Sequence, residues 1–315
     1  MQMAGGMKMG YRSLRVLPWL LLAWLASCGG GTQQIEPFQA QRVIFIGDET
    51  VGLQPDGRRY GINVINADGN FDCAQLPIWS QLLAANFGLP TDHCGGGTRA
   101  ETRAFAHAKA ADVESQITDQ IAERGVTPKD LFVLMVGMND IIELYETFTG
   151  DRNCDTGVRD PAPGTLMAEL QVRGRLVAAQ INRLIAADGR LIVSTVHDIG
   201  YTPYAIAAGQ TALLSCMTAV FNARVRVDPI QDGRFWGLVL ADDDTLAIVR
   251  NPGTIGVTNV TDAACTSEEP PLCETDTLVN PQATSYLWAT DRHFGPQMHG
   301  QLASEAITRA RNNPF

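Results

Sequence analysis

Short apolar runs that end in glycine or polar residues recur along the chain and predict buried strands. These runs cover residues 43–46, 131–136, 190–196 and 235–240. Apolar residues recur at helical spacing over residues 77–88, 111–124, 166–185 and 211–227. Strands that alternate with helices of this length are typical of βαβ units, so we expect an α/β fold around one central parallel sheet.

Two of the predicted strands end in polar residues that indicate a functional site. The first run ends at Gly47 and is followed by Asp48 and Glu49, and the second ends at Gly137 and is followed two residues later by Asn139. In open α/β sheets, ligands bind outside the carboxyl ends of the strands. We therefore expect both segments to lie at one edge of the sheet.

A series of motifs between residues 42 and 311 resembles the conserved blocks of the GDSL (SGNH) ester hydrolases, in particular their lecithinase/haemolysin-like branch. The motifs are Gly47-Asp48, the 69–88 passage with Trp79, Gly95-Gly96-Gly97, Gly137-Met138-Asn139-Asp140, the 197–203 passage, Phe221-Asn222 and the 286–299 block. The resemblance implies the SGNH-hydrolase (flavodoxin-like) fold, a three-layer α/β/α sandwich with a central parallel sheet. It implies a single domain over residues 42–315.

The same resemblance assigns the first part of a candidate active site. Glu49 stands where the family has its nucleophilic serine. The family's oxyanion hole combines a glycine N–H with an asparagine amide, and here these fall on Gly96 as first choice, Gly97 as second choice, and Asn139. Glycine suits this role because the backbone must approach the substrate closely, and an amide donates to an oxyanion without taking part in proton transfer.

The C-terminal block assigns the rest of the site. His293 falls on the family's catalytic histidine, and the triad acid, three residues earlier, falls on Thr290. Asp291 is one position away and is an alternative partner for the histidine. His299 matches a later histidine on the terminal helix, whereas His197 is interpreted as a loop or packing residue.

These assignments lead to two functional hypotheses. Acyl transfer requires a hydroxyl that the histidine can deprotonate, together with donors for the negative oxygen of the intermediate. Glu49 supplies no hydroxyl, so the first hypothesis is lost or reduced serine-esterase activity, with a retained pocket that binds a lipid, acyl or glycan ligand. The second is an active ester hydrolase that uses Thr50 or Glu49 with His293 and Asp291. A purely structural envelope protein is a third possibility, and none of the three requires a cofactor or a metal.

The N-terminus predicts export. Lys8, Arg12 and Arg15 precede an apolar run that is too short to span a membrane as a helix, as in a secretory signal. The run leads into Cys28 through a segment that resembles the bacterial lipobox, in which the cysteine thiol receives a lipid. The alternative is an ordinary signal peptide, which leaves Cys28 as an odd thiol.

This interpretation divides the chain into a signal over residues 1–27, a lipidated cysteine with a flexible tether over residues 28–41, and the domain that follows. We expect a lipid-anchored protein of the cell envelope. The residue after the cysteine is Gly29 and not the aspartate that retains some lipoproteins in the inner membrane. By family habit this favours the outer membrane or the periplasmic face.

Six cysteines remain in the predicted mature chain, which fits an oxidising compartment. They are Cys73, Cys94, Cys154, Cys216, Cys265 and Cys273. The short spacing from Cys265 to Cys273 predicts a local disulfide, while pairing Cys73 with Cys94 and Cys154 with Cys216 is only one of the connectivities that the others allow. A structural zinc site is the alternative, although no C-x-x-C motif or Cys/His pair has ligand spacing.

The charge of the chain disfavours nucleic acid as a partner. Removal of residues 1–27 takes three basic residues from 24 and none of the 34 acidic ones, which leaves a formal charge of −13. The expected partners are an acyl-ester, lipid or acylated glycan ligand, and the membrane through Cys28.

Three polar segments lie outside the predicted strands and helices. Residues 52–69 are rich in Gly, Asn and Asp, and residues 251–280 are rich in Pro, Thr, Asn and Glu, so we predict a loop and a long surface excursion. The acidic run Asp242-Asp243-Asp244 is interpreted as a solvated turn, because it lacks the glycine and ligand pattern of a calcium loop.

Overall fold

The computed structural model describes residues 37–266 and 271–312 of the 315-residue chain. The predicted signal peptide, Cys28 and most of the tether lie outside these residues. Within the two described ranges, no helix is long and apolar enough to cross a membrane.

The centre of the fold is a parallel sheet, as the alternation of strands and helices predicts. Its strands are β1 (Arg42–Gly47), β4 (Ala100–Thr102), β5 (Asp130–Met135), β6 (Arg190–Ser194) and β7 (Trp236–Val239). They are arranged in the order β4-β1-β5-β6-β7, and every neighbouring pair is parallel. Two small ribbons join β2 (Val64–Ile65) to β3 (Phe71–Asp72) and β8 (Asn259–Ala263) to β9 (Tyr286–Trp288).

Helices cover both faces of the sheet. They are α1 (Trp79–Asn86), α2 (Val113–Arg124), α3 (Met138–Thr147), α4 (Leu166–Ala186), α5 (Pro203–Ala207), α6 (Thr211–Val227), α7 (Ala241–Arg250) and α8 (Pro296–Asn312). Helices α2, α3, α4 and α6 share one apolar cluster with the sheet, and α1, α7 and α8 share the other. The three-layer α/β/α sandwich predicted from the sequence is therefore confirmed.

The alternation of side chains along β1 explains why both faces are covered. Ile44 and Ile46 belong to one cluster, whereas Val43 and Phe45 belong to the other, and all four are fully buried. Successive side chains of a strand point to opposite faces, so a strand that is apolar at every position requires an apolar layer on each side.

The segment predicted as a loop over residues 52–69 is a loop apart from β2, and part of it is buried. Arg59 is 0% exposed, and its guanidinium donates to the carbonyl oxygen of Cys73 (3.0 Å) and to Oε1 of Gln81 (2.9 Å). Burial lowers the pKa of Arg59 to about 10. Polar composition reports only side-chain character, and here a backbone carbonyl group and a side-chain oxygen satisfy a buried polar side chain.

The predicted surface excursion over residues 251–280 also packs into the fold in part. Its strand β8 pairs with β9, and Cys273 is buried beneath the loop that precedes β2. The side chain of Asn63 donates to the carbonyl oxygens of Pro271 (2.8 Å) and Cys273 (3.2 Å). The two polar segments therefore bury each other, which the composition of either one alone does not reveal.

The described residues contain three disulfides, and all three predicted pairs are confirmed. They are Cys73–Cys94, Cys154–Cys216 and Cys265–Cys273. Because all six cysteines are bonded, the alternative of a structural zinc site is wrong. The described residues also contain no group of three or more His, Cys, Asp or Glu side chains placed to hold a metal ion.

The acidic run predicted as a solvated turn forms the first turn of α7. Asp242 accepts hydrogen bonds from Thr195 (2.7 Å), Asn222 (2.9 Å) and Arg226 (2.6 Å). Acidic residues are favoured in the first turn of a helix by its dipole. Asp242 therefore ties this helix to the end of β6 and to α6.

Asp244, two residues later, is expected to make the stability of the fold depend on pH. Its pKa is raised to about 7, first by burial and then by the nearby Glu305. A carboxyl with a higher pKa in the folded than in the unfolded chain destabilises the fold as pH rises from about 4 to about 7. Because solvent screens part of this effect, we expect the free energy of unfolding of wild type to fall by about 1 kcal/mol over this range. Asp244→Asn should remove the fall, as measured by urea denaturation at about pH 4 and about pH 7.

The exposed Asp119→Asn is the matched control and should leave the pH dependence of unfolding unchanged. Equal pH dependence in wild type and Asp244→Asn would contradict the prediction.

Candidate active site

A tight turn at the carboxyl edge of the sheet positions Glu49 in the candidate site. Gly47 ends β1 at φ +124°, and a Cβ there would lie 2.0 Å from the carbonyl oxygen of Met135 on β5. The side chain of Gln116 accepts from the Gly47 N–H (2.7 Å) and donates to its carbonyl oxygen (2.9 Å). The turn therefore brings Glu49 beside Asn139, which lies in the first turn of α3 after β5.

The carboxylate of Glu49 accepts hydrogen bonds from two donors. Its Oε2 atom accepts from the backbone N–H of His107 at 2.8 Å and from the side-chain amide of Asn139 at 3.0 Å. Glu49 itself is only 2% exposed. A backbone N–H and a side-chain amide that converge on one negative oxygen form the arrangement of an oxyanion hole. Here the negative oxygen belongs to the protein.

The backbone donor is His107, and the placement of this role at Gly96 or Gly97 is corrected. Both glycines precede β4, and β4 runs parallel to β1, so they lie toward the amino edge of the sheet. The Gly97 N–H is used by the carbonyl oxygen of Thr91 (3.1 Å). His107 instead follows β4 and adopts a φ of 63°, which is uncommon for a residue other than glycine.

Sequence reasoning missed His107 because β4 has only three residues, too few to show a strand period. The useful signal was topological. A donor for this site must follow the edge strand and not precede it.

Contacts from α3 hold the donor loop in place. Asn139 also donates to the carbonyl oxygen of Ala108 (3.1 Å), and Asp140 accepts from the N–H of Ala110 (2.8 Å). Burial raises the pKa of Asp140 to about 6, against these bonds and the nearby Arg173. Asn139 is therefore one of the two donors to Glu49. Together with Asp140 it also holds the loop that carries the other donor, His107.

His293 faces Glu49 from the opposite side. Its Nε2 atom lies 3.6 Å from Oε1 of Glu49, and its Nδ1 atom is hydrogen-bonded to Oγ1 of Thr290 at 2.8 Å. Burial opposes ionisation of Glu49, but the nearby His293 and the N–H of His107 outweigh it, so the pKa of Glu49 is lowered. Glu49 is thus an anion at neutral pH.

The structure does not bring Asp291 to the histidine. Its carboxylate forms an ion pair with Arg292 at 2.7 Å, and its backbone carbonyl accepts from the N–H of Tyr204. Thr290 therefore occupies the place of the triad acid and contacts His293 as a neutral hydroxyl.

The hydroxyl of Thr50 is also turned away from the histidine. It donates to Oδ1 of Asp48, which also accepts the Thr50 N–H at 2.9 Å. Burial, and then the charge of Glu49, raise the pKa of Asp48 well above its usual range. The carbonyl oxygen of Thr50 accepts from the indole of Trp79 (2.9 Å), so the backbone is held as well.

Two further histidines lie behind the site as packing residues. His197 is 0% exposed, and its ring lies 4.5 Å from that of Phe294. His299 is on α8 and accepts the N–H of Trp79 at its Nδ1 (3.4 Å). Burial lowers the pKa of each to about 3, so both are neutral.

No family model and no curated relative matches the chain. Among solved structures, the chain is similar to the acetyl xylan esterase AlAXEase (TM-score 0.45, 14% identity, 84% of this chain and 96% of that chain). It is also similar to a member of the lipolytic protein G-D-S-L family from Veillonella parvula (TM-score 0.42, 12% identity, 85% and 97%). A third is the acetylxylan esterase Axe2 from Geobacillus stearothermophilus (TM-score 0.42, 15% identity, 87% and 94%). At these identities and TM-scores, the likeness supports no inference about activity or substrate.

Proposed function

We propose that this chain is an exported, lipid-anchored member of the GDSL (SGNH) hydrolase family that has lost or greatly reduced serine-esterase activity. In this proposal the site is retained to bind a ligand, drawn from lipids, acyl groups or glycans. The anchor is Cys28, and the protein lies at the cell envelope.

The observation that carries the proposal is the position of the Glu49 carboxylate. Its Oε2 takes both donors that an acyl-transfer intermediate would need, His107 and Asn139. Removing a single oxyanion donor costs an enzyme about 10²–10³ in kcat. With both donors occupied by an anion in the resting site, an ester carbonyl has no place to develop negative charge.

The absence of an activated hydroxyl supports the same conclusion. Serine-type acyl transfer needs a hydroxyl within hydrogen-bond reach of the histidine Nε2. That atom instead faces Oε1 of Glu49, and the hydroxyl of Thr50 is bonded to Asp48. Asp291, the alternative acid, is engaged by Arg292. No contact in the described site favours the active-hydrolase hypothesis.

The direct test is ester hydrolysis by the purified protein. We expect wild type and His293→Ala to hydrolyse p-nitrophenyl acetate equally slowly, at the rate of the buffer control. Turnover by wild type that disappears in His293→Ala would contradict the proposal, since it requires a working histidine.

Labelling with a fluorophosphonate probe provides an independent test, because the probe reacts only with an activated hydroxyl. We expect no labelling of wild type. Labelling at Thr50 would support the active-hydrolase hypothesis instead.

A further inference from the structure

Two polar atoms of the candidate site face each other once the two donors to Oε2 of Glu49 are assigned. Oε1 of Glu49 and Nε2 of His293 lie 3.6 Å apart, on side chains that are 2% and 4% exposed. Nε2 has no hydrogen-bond partner among the residues that the structure describes. Buried polar atoms in native proteins are nearly always hydrogen-bonded, so this gap indicates where an atom from outside the chain binds.

The partners of His293 determine where its proton lies. Glu49 is an acceptor only, whereas the hydroxyl of Thr290 can donate to Nδ1 or accept from it. In the neutral imidazole, Thr290 donates to Nδ1 and the proton is on Nε2, facing Glu49. In the imidazolium, both nitrogens carry protons. Nε2 therefore keeps its proton in both charge states.

The hydrogen bonds of His293 have the opposite arrangement to those of the histidine in a serine hydrolase. There, the carboxylate accepts from Nδ1–H, and Nε2 is free to take the proton of the nucleophile. Here the carboxylate of Glu49 is on the Nε2 side and the hydroxyl of Thr290 is on the Nδ1 side. His293 is consequently a hydrogen-bond donor toward the site, and not a base.

We infer that the Glu49–His293 pair binds a hydroxyl group of a carbohydrate or polyol, an inference that rests on the proposed loss of esterase activity. The hydroxyl oxygen accepts from Nε2–H, and its proton is donated to Oε1. A separation of 3.6 Å lets one oxygen lie within hydrogen-bond distance of both atoms.

Other ligand groups match the pair less well. An ester carbonyl is an acceptor only, and the donors it would use are occupied by Oε2 of Glu49. A carboxylate is repelled by Glu49, and an ammonium has no lone pair for Nε2–H. Only a group that both donates and accepts satisfies both atoms, and a hydroxyl does so with a single oxygen.

Neighbouring side chains restrict the access of a ligand to the Glu49–His293 pair. The ring of Tyr60 lies 5.1 Å from the imidazole ring of His293, and Tyr60 is 6% exposed. His107 is exposed and Asn139 is half-buried, so their side of the pair is the more open one. Tyr60 therefore places an aromatic ring beside the pair, against which the apolar face of a polyol can pack.

The first experiment locates the proton by NMR of the full chain, ¹⁵N-labelled at histidine, with His293 assigned from the spectrum of His293→Ala. We expect a protonated Nε2 in wild type across neutral pH. In Glu49→Gln, the amide oxygen takes the two donors and the NH₂ group faces His293, so Nε2 must become an acceptor. The Nε2 proton should then be lost and a proton should appear on Nδ1.

Glu101→Gln is the matched control, because Glu101 is another buried carboxylate of the sheet but pairs with Arg124 far from His293. It should leave the His293 signals unchanged.

The second experiment tests the ligand class with glycerol as the hydroxyl probe and acetate as the anionic comparison. Glycerol should shift the Nε2 and Nε2–H signals of His293 in wild type. Acetate at equal ionic strength should leave these signals unshifted.

A wild-type His293 without a proton on Nε2 would overturn the inference, as would signals that glycerol leaves unchanged or that acetate shifts equally. Both wild-type measurements remain informative even if a variant fails to fold. They are also independent of turnover, so ester hydrolysis by wild type would overturn the proposed function separately.

Discussion

The double variant Glu49→Ser/Thr290→Asp is expected to hydrolyse p-nitrophenyl acetate about 10⁴-fold faster in kcat than Glu49→Ser alone. The serine supplies the missing hydroxyl and vacates the donors of His107 and Asn139. It does not by itself orient the histidine, since Thr290 can accept from Nδ1 or donate to it. An aspartate at position 290 accepts only, which holds the proton on Nδ1 and frees Nε2 to act as the base.

The matched control is Glu49→Ser/Thr290→Asn, which has the same size but no charge at position 290. It should show activity close to that of Glu49→Ser, with thermal unfolding to confirm that each variant is folded. If Glu49→Ser alone equals the aspartate variant, the hydroxyl of Thr290 suffices to orient His293, and a negative charge at position 290 is not required. If none of the three folded variants hydrolyses the ester, the donors of His107 and Asn139 are not placed for acyl transfer.

Removal of the Cys154–Cys216 disulfide is expected to lower the free energy of unfolding by about 4 kcal/mol. The two cysteines are separated by 62 positions and join the segment before α4 to α6. A crosslink that closes a long loop removes more conformational freedom from the unfolded chain than one that closes a short loop. The measurement is urea denaturation of Cys154→Ala/Cys216→Ala against wild type, without reductant.

The Cys265–Cys273 disulfide provides the internal comparison, because its cysteines are separated by only 8 positions. Its removal should cost about 2.5 kcal/mol by the same loop-entropy relation. Equal losses for the two pairs would contradict a loop-entropy origin and would point to contacts in the folded state.

Glu49 has a structural consequence as well as a chemical one. Its carboxylate joins the turn after β1 to the loop that carries His107 and to the start of α3. Hydrogen bonds to a charged group are stronger than those between neutral groups. The anion therefore stabilises a pair of donors that an enzyme would hold open for its substrate.

The main features of the fold were determined by the sequence itself. The strands β1, β5, β6 and β7 are apolar along their length, and the helices between them repeat at helical spacing, so local pattern and burial predict the same elements. The parallel order then places the ends of β1 and β5 side by side, which is why Glu49 and Asn139 were expected together. His293 was expected from motif resemblance alone, and the structure brings it to the same place.

Only the tertiary structure decided how these residues interact. The donor His107, the engagement of Asp291 by Arg292 and the burial of the loop around Arg59 left no signal in composition or period. The position of His107 depends on which end of a strand its loop joins. The other contacts depend on which groups from distant segments of the chain lie next to a polar side chain. Such contacts are set by the packing of the whole domain, because a local sequence pattern specifies the direction of a side chain along its own element but not what it meets there.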